Sequence, residues 1–135
     1  MRFVLDASVT LTWAFPDEWH KTAQRAKSVL ESPNGAALVP SLWWFEVRNI
    51  LVVNERRGRI RPEGTTYFLQ QLSEMNIETV PITDEAALLE LARQKKLSVY
   101  DSAYLAIAME NNIPLSTLDE KLISAAASID VELLA

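Results

Sequence analysis

Four acids stand out in a chain otherwise poor in reactive side chains: Asp6, Glu46, Asp101 and Asp119. There is no cysteine, so disulfides, thiolate zinc sites and cysteine nucleophiles are excluded. A single histidine, His20, leaves no His pair. The three glycines, Gly35, Gly58 and Gly64, form no glycine-rich run, so a phosphate cradle of the P-loop or dinucleotide type is absent. Carboxylates without thiolate or imidazole select hard cations such as Mg²⁺ or Mn²⁺. A cation so held activates water and offsets charge on a phosphate, which suits hydrolysis of phosphodiesters.

Such a site needs elements that bring distant acids together. Phe3-Val4-Leu5 is a short apolar run ended by Asp6, as expected of a buried strand entering a strand-to-helix turn. A short helix follows from Ser8 to about Phe15, closed by Pro16. A second is expected from Asp17 or Glu18 to Ser32, ahead of the turn Ser32-Pro33-Asn34-Gly35. Ala36–Val39 reads as a strand, and Ser41 is expected to cap a long helix to Arg57, stopped by Gly58. Further helices are expected over Pro62–Met75, from a Thr83–Asp84 cap to Lys96, over Asp101–Asn111, and from Asp119 to Ala127. Glu78–Val80 and Ile113–Thr117 read as strands, and Val131–Leu134 as an edge strand. Alternation of this kind predicts one α/β domain over residues 1–135, with a parallel sheet of four or five strands and helices on both faces. In such sheets ligands collect beyond the carboxyl ends of the strands, near the point where strand order reverses.

Each acid also has a plainer role. Asp6 and Asp119 sit where helices begin, and Asp is a favoured N-cap. Asp101 opens a helix so apolar (Ala103, Leu105, Ala106, Ile107, Ala108) that its start is expected inside the fold, where a carboxylate needs several donors. Glu46 falls within an apparent apolar stripe of Leu42, Phe45, Ile50 and Val53, with Asn49 beside it. An acid so placed needs a metal or an arginine partner. Independent caps would have no reason to converge, so the four together favour a metal site. Ser8 and Thr117 flank the same strand ends and are placed to orient the ligands. Without a cation, at least one of four clustered carboxylates is expected to hold its proton.

The strand-Asp-Ala-Ser opening, the Glu46-Val47-x-Asn49 helix, Tyr100-Asp101-Ser102-Ala103-Tyr104 and Leu115-Ser116-Thr117-Leu118-Asp119 together resemble the motifs of the PIN-domain family, over essentially the whole chain and in order. Within it, the sequence is most similar to the small VapC-type toxins of prokaryotic toxin–antitoxin pairs. The resemblance implies a Rossmann-like three-layer fold and Mg²⁺- or Mn²⁺-dependent ribonuclease activity. It also implies an RNA substrate, a cognate antitoxin, and an acidic site of Asp6, Glu46, Asp101 and Asp119 supported by Ser8 and Thr117. Alternatives are a housekeeping RNA-processing or DNA-acting nuclease, and a catalytically silent binding module. Receiver domains need an acidic pair after the first strand, which Ala7 denies. Dehalogenase-type phosphatases need Asp-x-Asp, where Ser8 intervenes.

The net charge of −5 is unusual for a partner of nucleic acid. Arg48, Arg56, Arg57, Arg59 and Arg61 nevertheless fall in one short stretch. Of these, Arg48, Arg56 and Arg57 are candidate contacts to RNA or antitoxin. Trp13, Trp19 and Trp44 add apolar surface that a homodimer would bury. The N-terminus has no charged segment followed by a long apolar run, and no span of about eighteen apolar residues occurs. A soluble, cytoplasmic protein without membrane association is the expectation.

Overall fold

β1 (Arg2–Leu5) runs through the middle of the sheet in the computed structural model, which describes all 135 residues. Phe3, Val4 and Leu5 have no exposed surface, as an apolar run must when helices cover both faces. β1 pairs in parallel with β2 (Ala36–Val39), Phe3 opposite Ala37, and on its other side with β4 (Leu115–Ser116), Leu5 opposite Ser116. β3 (Ile77–Thr79) extends the sheet beyond β2, giving the order β3-β2-β1-β4. The chain therefore steps outward from β1 to β3 and returns to the opposite side of β1, so strand order reverses between β1 and β4.

Seven helices complete the fold: α1 (Ala7–Thr12), α2 (Lys21–Glu31), α3 (Ser41–Arg56), α4 (Pro62–Ser73), α5 (Glu85–Lys95), α6 (Val99–Asn111) and α7 (Glu120–Ser128). α6 lies along β1, β2 and β4 and is backed by α5, while α2 lies against β2 and β4. α6 buries every residue from Ser102 to Ala108, as its nearly continuous apolar sequence requires.

Several expected features take a different form. The sheet has four strands, because Val131–Leu134 contributes one parallel bridge, Leu115 with Leu133, held by two backbone hydrogen bonds of 2.9 Å. α2 begins at Lys21 rather than at Asp17 or Glu18, which precede it and pair with Arg59. Ser41 is the first helical residue of α3, not its cap; Pro40 holds the N-cap position with no side-chain bond. α6 begins two residues before Asp101. Its cap is Ser98, whose Oγ accepts the Asp101 N–H at 3.0 Å, and Val99 and Tyr100 are exposed. The start of this helix is therefore at the surface, not inside the fold.

α3 is also turned relative to expectation. Its buried residues are Trp43, Val47, Leu51 and Asn54, while Phe45 is 68% exposed and Ile50 also faces outward. The Trp43 indole decides the rotation: its large apolar area is buried, and Nε1 donates to Thr10 Oγ1 at 3.0 Å. Glu46 consequently sits half-buried at the border of the core face rather than within a stripe.

Candidate active site

Asp6 emerges from β1 at the reversal point. It occupies the N-cap position of α1, yet its carboxylate makes no capping bond to the helix. Instead Oδ2 accepts two hydroxyls, Ser8 Oγ and Thr117 Oγ1, each at 2.7 Å. Both donors fall on one oxygen, and no hydroxyl reaches Oδ1. The same hydroxyls bind the neighbouring turn. Leu118 N–H donates to Ser8 Oγ and Asp119 N–H donates to Thr117 Oγ1, both at 3.0 Å. Ser8 and Thr117 thus clamp the β4–α7 connection onto the end of β1. Asp6 is 6% exposed, and burial raises its carboxyl above the ordinary aspartate range. The two hydroxyl donors oppose that shift, and the charge of Asp119 adds to it.

Glu46 reaches the same region from α3. Its Oε1 accepts the Tyr104 O–H at 2.5 Å, and no arginine pairs with it. The buried ion-pair alternative is therefore not the one realised. Burial raises the Glu46 carboxyl, the Tyr104 donor opposes this, and the charges of Asp6 and Asp101 push it further. Burial likewise raises the Tyr104 hydroxyl, helped by its bond to Glu46 and the charge of Asp6, so it stays a donor. Protonation in this cluster is thus favoured first by burial and only then by mutual repulsion.

Asp119 does act as a cap: its Oδ1 accepts the N–H groups of Lys121 (2.8 Å) and Leu122 (3.2 Å), which leaves Oδ2 free. Asp101, in the first turn of α6, makes no side-chain hydrogen bond and is half-buried. The four acids therefore share one end of the sheet and feel one another electrostatically in three pairs: Asp6 with Asp119, and Glu46 with Asp6 and Asp101. No three of them close around a common point. Each is tied to its own neighbour or to none. The donor set nonetheless suits a hard cation, since every contributor is a carboxylate with at least one oxygen spared from the bonds above.

Asn49 is exposed and unbonded one turn beyond Glu46, so it adds nothing to the cluster as arranged. Arg48 is occupied by Trp44: its guanidinium lies 3.7 Å from the ring centroid and donates to the Trp44 carbonyl at 3.1 Å. Arg56 and Arg57 are exposed at the far end of α3. Arg59 is structural, bound to Asp17, Glu18 and Asn54 and stacked 4.4 Å from the Phe15 ring centroid. Tyr104 is the residue of this region whose part the sequence does not announce. The available signal was its position three residues after Asp101, one helical turn along an otherwise apolar helix.

A parallel sheet with carboxylates gathered at its reversal point defines an acidic α/β site. The family is fixed by a match to the PIN-domain model over residues 3–128, and the chain belongs to that family. Ribonuclease VapC3 of Pyrobaculum aerophilum is 31% identical over 126 residues, covering 90% of this chain and 92% of the relative. A crystal structure of another Pyrobaculum aerophilum protein shares the fold with a TM-score of 0.71 at 19% identity, covering 93% of this chain and 84% of that one. The Mycobacterium tuberculosis toxin VapC20, described as cleaving the sarcin–ricin loop, superimposes with a TM-score of 0.62 at 19% identity, covering 93% and 95%. No helix is long and apolar enough to cross a membrane.

Proposed function

We propose that this PIN-domain protein is a ribonuclease that hydrolyses RNA phosphodiesters with a divalent cation, Mg²⁺ or Mn²⁺, and serves as the toxin of a toxin–antitoxin pair. The observation that carries the chemistry is Asp6. It is a buried acid at a helix start that declines the cap and is held by Ser8 and Thr117 at the switch point of the sheet. A capping role would spend that carboxylate on α1. The similarity to Ribonuclease VapC3 over nearly the full length of both chains supports the RNA substrate, and the VapC name that this relative shares with the toxin VapC20 supports the toxin role.

Asp6, Glu46, Asp101 and Asp119 would hold the cation. When bound, it supplies Lewis acidity that offsets charge on the phosphate and makes water a better nucleophile at neutral pH. The residues of the chain do the positioning. Ser8 and Thr117 fix the Asp6 carboxylate from one side, and Tyr104 fixes Glu46 through Oε1. The α7 N-terminus holds Asp119 through Oδ1 and leaves its other oxygen unbonded. Locked donors of this kind lower the cost of organising the site at the moment of reaction. Attack by water would leave 5′-phosphate and 3′-hydroxyl ends.

The antitoxin and a second copy of the chain belong to the same proposal. α3 presents Trp44, Phe45 and Val52 outward on one side, an apolar face suited to a homodimer, with Arg56 and Arg57 at its end for an acidic partner segment. The direct test uses end-labelled single-stranded RNA and protein stripped with chelator. Cleavage is expected to be absent in EDTA and restored by Mg²⁺ or Mn²⁺. Cleavage that persists in chelator contradicts the metal-dependent mechanism.

A further inference from the structure

A cleft of positive charge is built from the segments that adjoin Asp101 and Asp119 in the chain. Between the end of α5 and α7 lies a space of about 550 Å³ whose lining includes Gln94, Lys95, Lys96, Lys121 and Ser124. Three of the chain's five lysines meet here, and none forms an ion pair. Glu120 is the one acid in the lining, so the cleft remains net positive in a protein whose formal charge is −5.

The chain path explains why the lysines arrive beside the acids. The Glu110 carboxylate, at the far end of α6, accepts the N–H groups of Thr83 and Asp84 at 3.2 and 3.1 Å. α5 therefore starts at that end and runs back along α6, delivering Lys95 and Lys96 to the α6 start where Asp101 stands. Lys96 itself makes the reversal, with φ of 55°. Lys121 lies two residues beyond Asp119, in the first turn of α7.

We propose that this cleft is a phosphodiester subsite: Lys95, Lys96 and Lys121 hold phosphates of the RNA strand on one side of the bond that is cut. The proposal rests on the ribonuclease function above. A strand approaching four carboxylates is repelled unless cations stand nearby, and these unpaired ammonium groups are carried by the segments that adjoin Asp101 and Asp119 in the chain. The α3 arginines are less suitable. Arg56 lies ten residues past Glu46, about 15 Å along the helix axis, while Arg48 and Arg59 are stacked or paired.

The test is the salt dependence of binding to labelled single-stranded RNA in EDTA, where the strand stays intact, for wild type and for Lys95→Gln/Lys96→Gln/Lys121→Gln. Each phosphate contact contributes about 0.7 to the logarithmic salt slope on single strands, so the triple variant is expected to lose about 2. In Mg²⁺ its KM for cleavage rises while its cation-induced rise in Tm matches wild type. Arg56→Gln/Arg57→Gln keeps the larger part of the slope. Wild-type slope and affinity in the triple variant overturn the subsite, as does a slope lost only in the arginine variant. Should the triple variant fold poorly, Lys121→Gln alone carries the test, with a loss of about 0.7 expected and an unchanged slope overturning the proposal. Wild-type protein that binds RNA through these lysines but never cuts it would overturn the ribonuclease reading and leave the subsite standing.

Discussion

Asp6→Asn is expected to lower metal-dependent RNA cleavage by about 10³-fold, the scale of losing one preorganised electrostatic group, while making the metal-free protein more stable at neutral pH. The amide keeps the local structure because its oxygen can still accept the Ser8 and Thr117 hydroxyls that now meet on Oδ2. What disappears is the buried negative charge. The Asp6 carboxyl is raised by burial and by Asp119, so the folded protein holds this proton more tightly than the unfolded chain does. Its contribution therefore destabilises the metal-free fold progressively as pH rises from about 4, the unfolded aspartate value, through the raised folded value, and fully above it. Glu46 adds a penalty of the same sign. Thermal melts in chelator should show Asp6→Asn above wild type at pH 7, with the gap closing toward pH 4. A variant that loses stability at pH 7 and keeps its activity would make Asp6 a structural acid.

Gly35→Ala gives the opposite pattern: a large loss of stability with cleavage retained by the folded molecules. α2 ends at Glu31, and the Val29 carbonyl accepts both the N–H and the hydroxyl of Ser32. Gly35 packs directly over that carbonyl. A Cβ there would lie 1.6 Å from Val29 O and 2.8 Å from Ser32 Oγ. The first is backbone and cannot swing aside, so the turn must open and drag the start of β2 with it. The cost is about 3 kcal/mol, at the upper end for overpacking, or roughly 10 °C in Tm. Gly35 precedes β2, whereas the acids lie beyond the opposite ends of the parallel strands. Cleavage per folded molecule at low temperature should therefore stay near wild type. A Tm within a degree of wild type would show that the turn relaxes freely.

These two positions also mark how far the sequence could be read. Asp6 and Asp119 were legible because an apolar run must end where an acid begins, and parallel sheets place such ends together. The alternation of elements gave the layered sheet, and the marginal fifth strand shrank to one bridge because Val131–Leu134 offers only two hydrogen bonds. Glu46 reaches the acidic end of the sheet from the border of the core face, not from within an apolar stripe. α3 carries two faces with comparable apolar content, and periodicity cannot choose between them; the buried Trp43 indole does. Asp101 lies inside the first turn of its helix and not at the start because Ser98 is the better cap. Tyr104 was hidden because an aromatic in an apolar helix looks like core packing, and its role depends on Glu46, 58 residues away. The lysine cleft was equally hidden. Lys95 and Lys96 meet Lys121 only because α5 doubles back along α6.

The plain capping alternative has a mixed outcome that sharpens the chemistry. Asp119 caps α7, whereas Asp6 and Asp101 cap nothing. Asp101 is the cleanest probe of the site, because its carboxylate is bound to no group of the fold. The most direct measurement is a Mn²⁺ titration of wild type and Asp101→Asn, following cleavage of end-labelled single-stranded RNA alongside the metal-free Tm. The four-carboxylate account predicts an unchanged metal-free fold, a higher Mn²⁺ concentration for half-maximal cleavage and cleavage reduced by roughly 10²-fold or more. Equal cleavage by the two proteins at every Mn²⁺ concentration would contradict it.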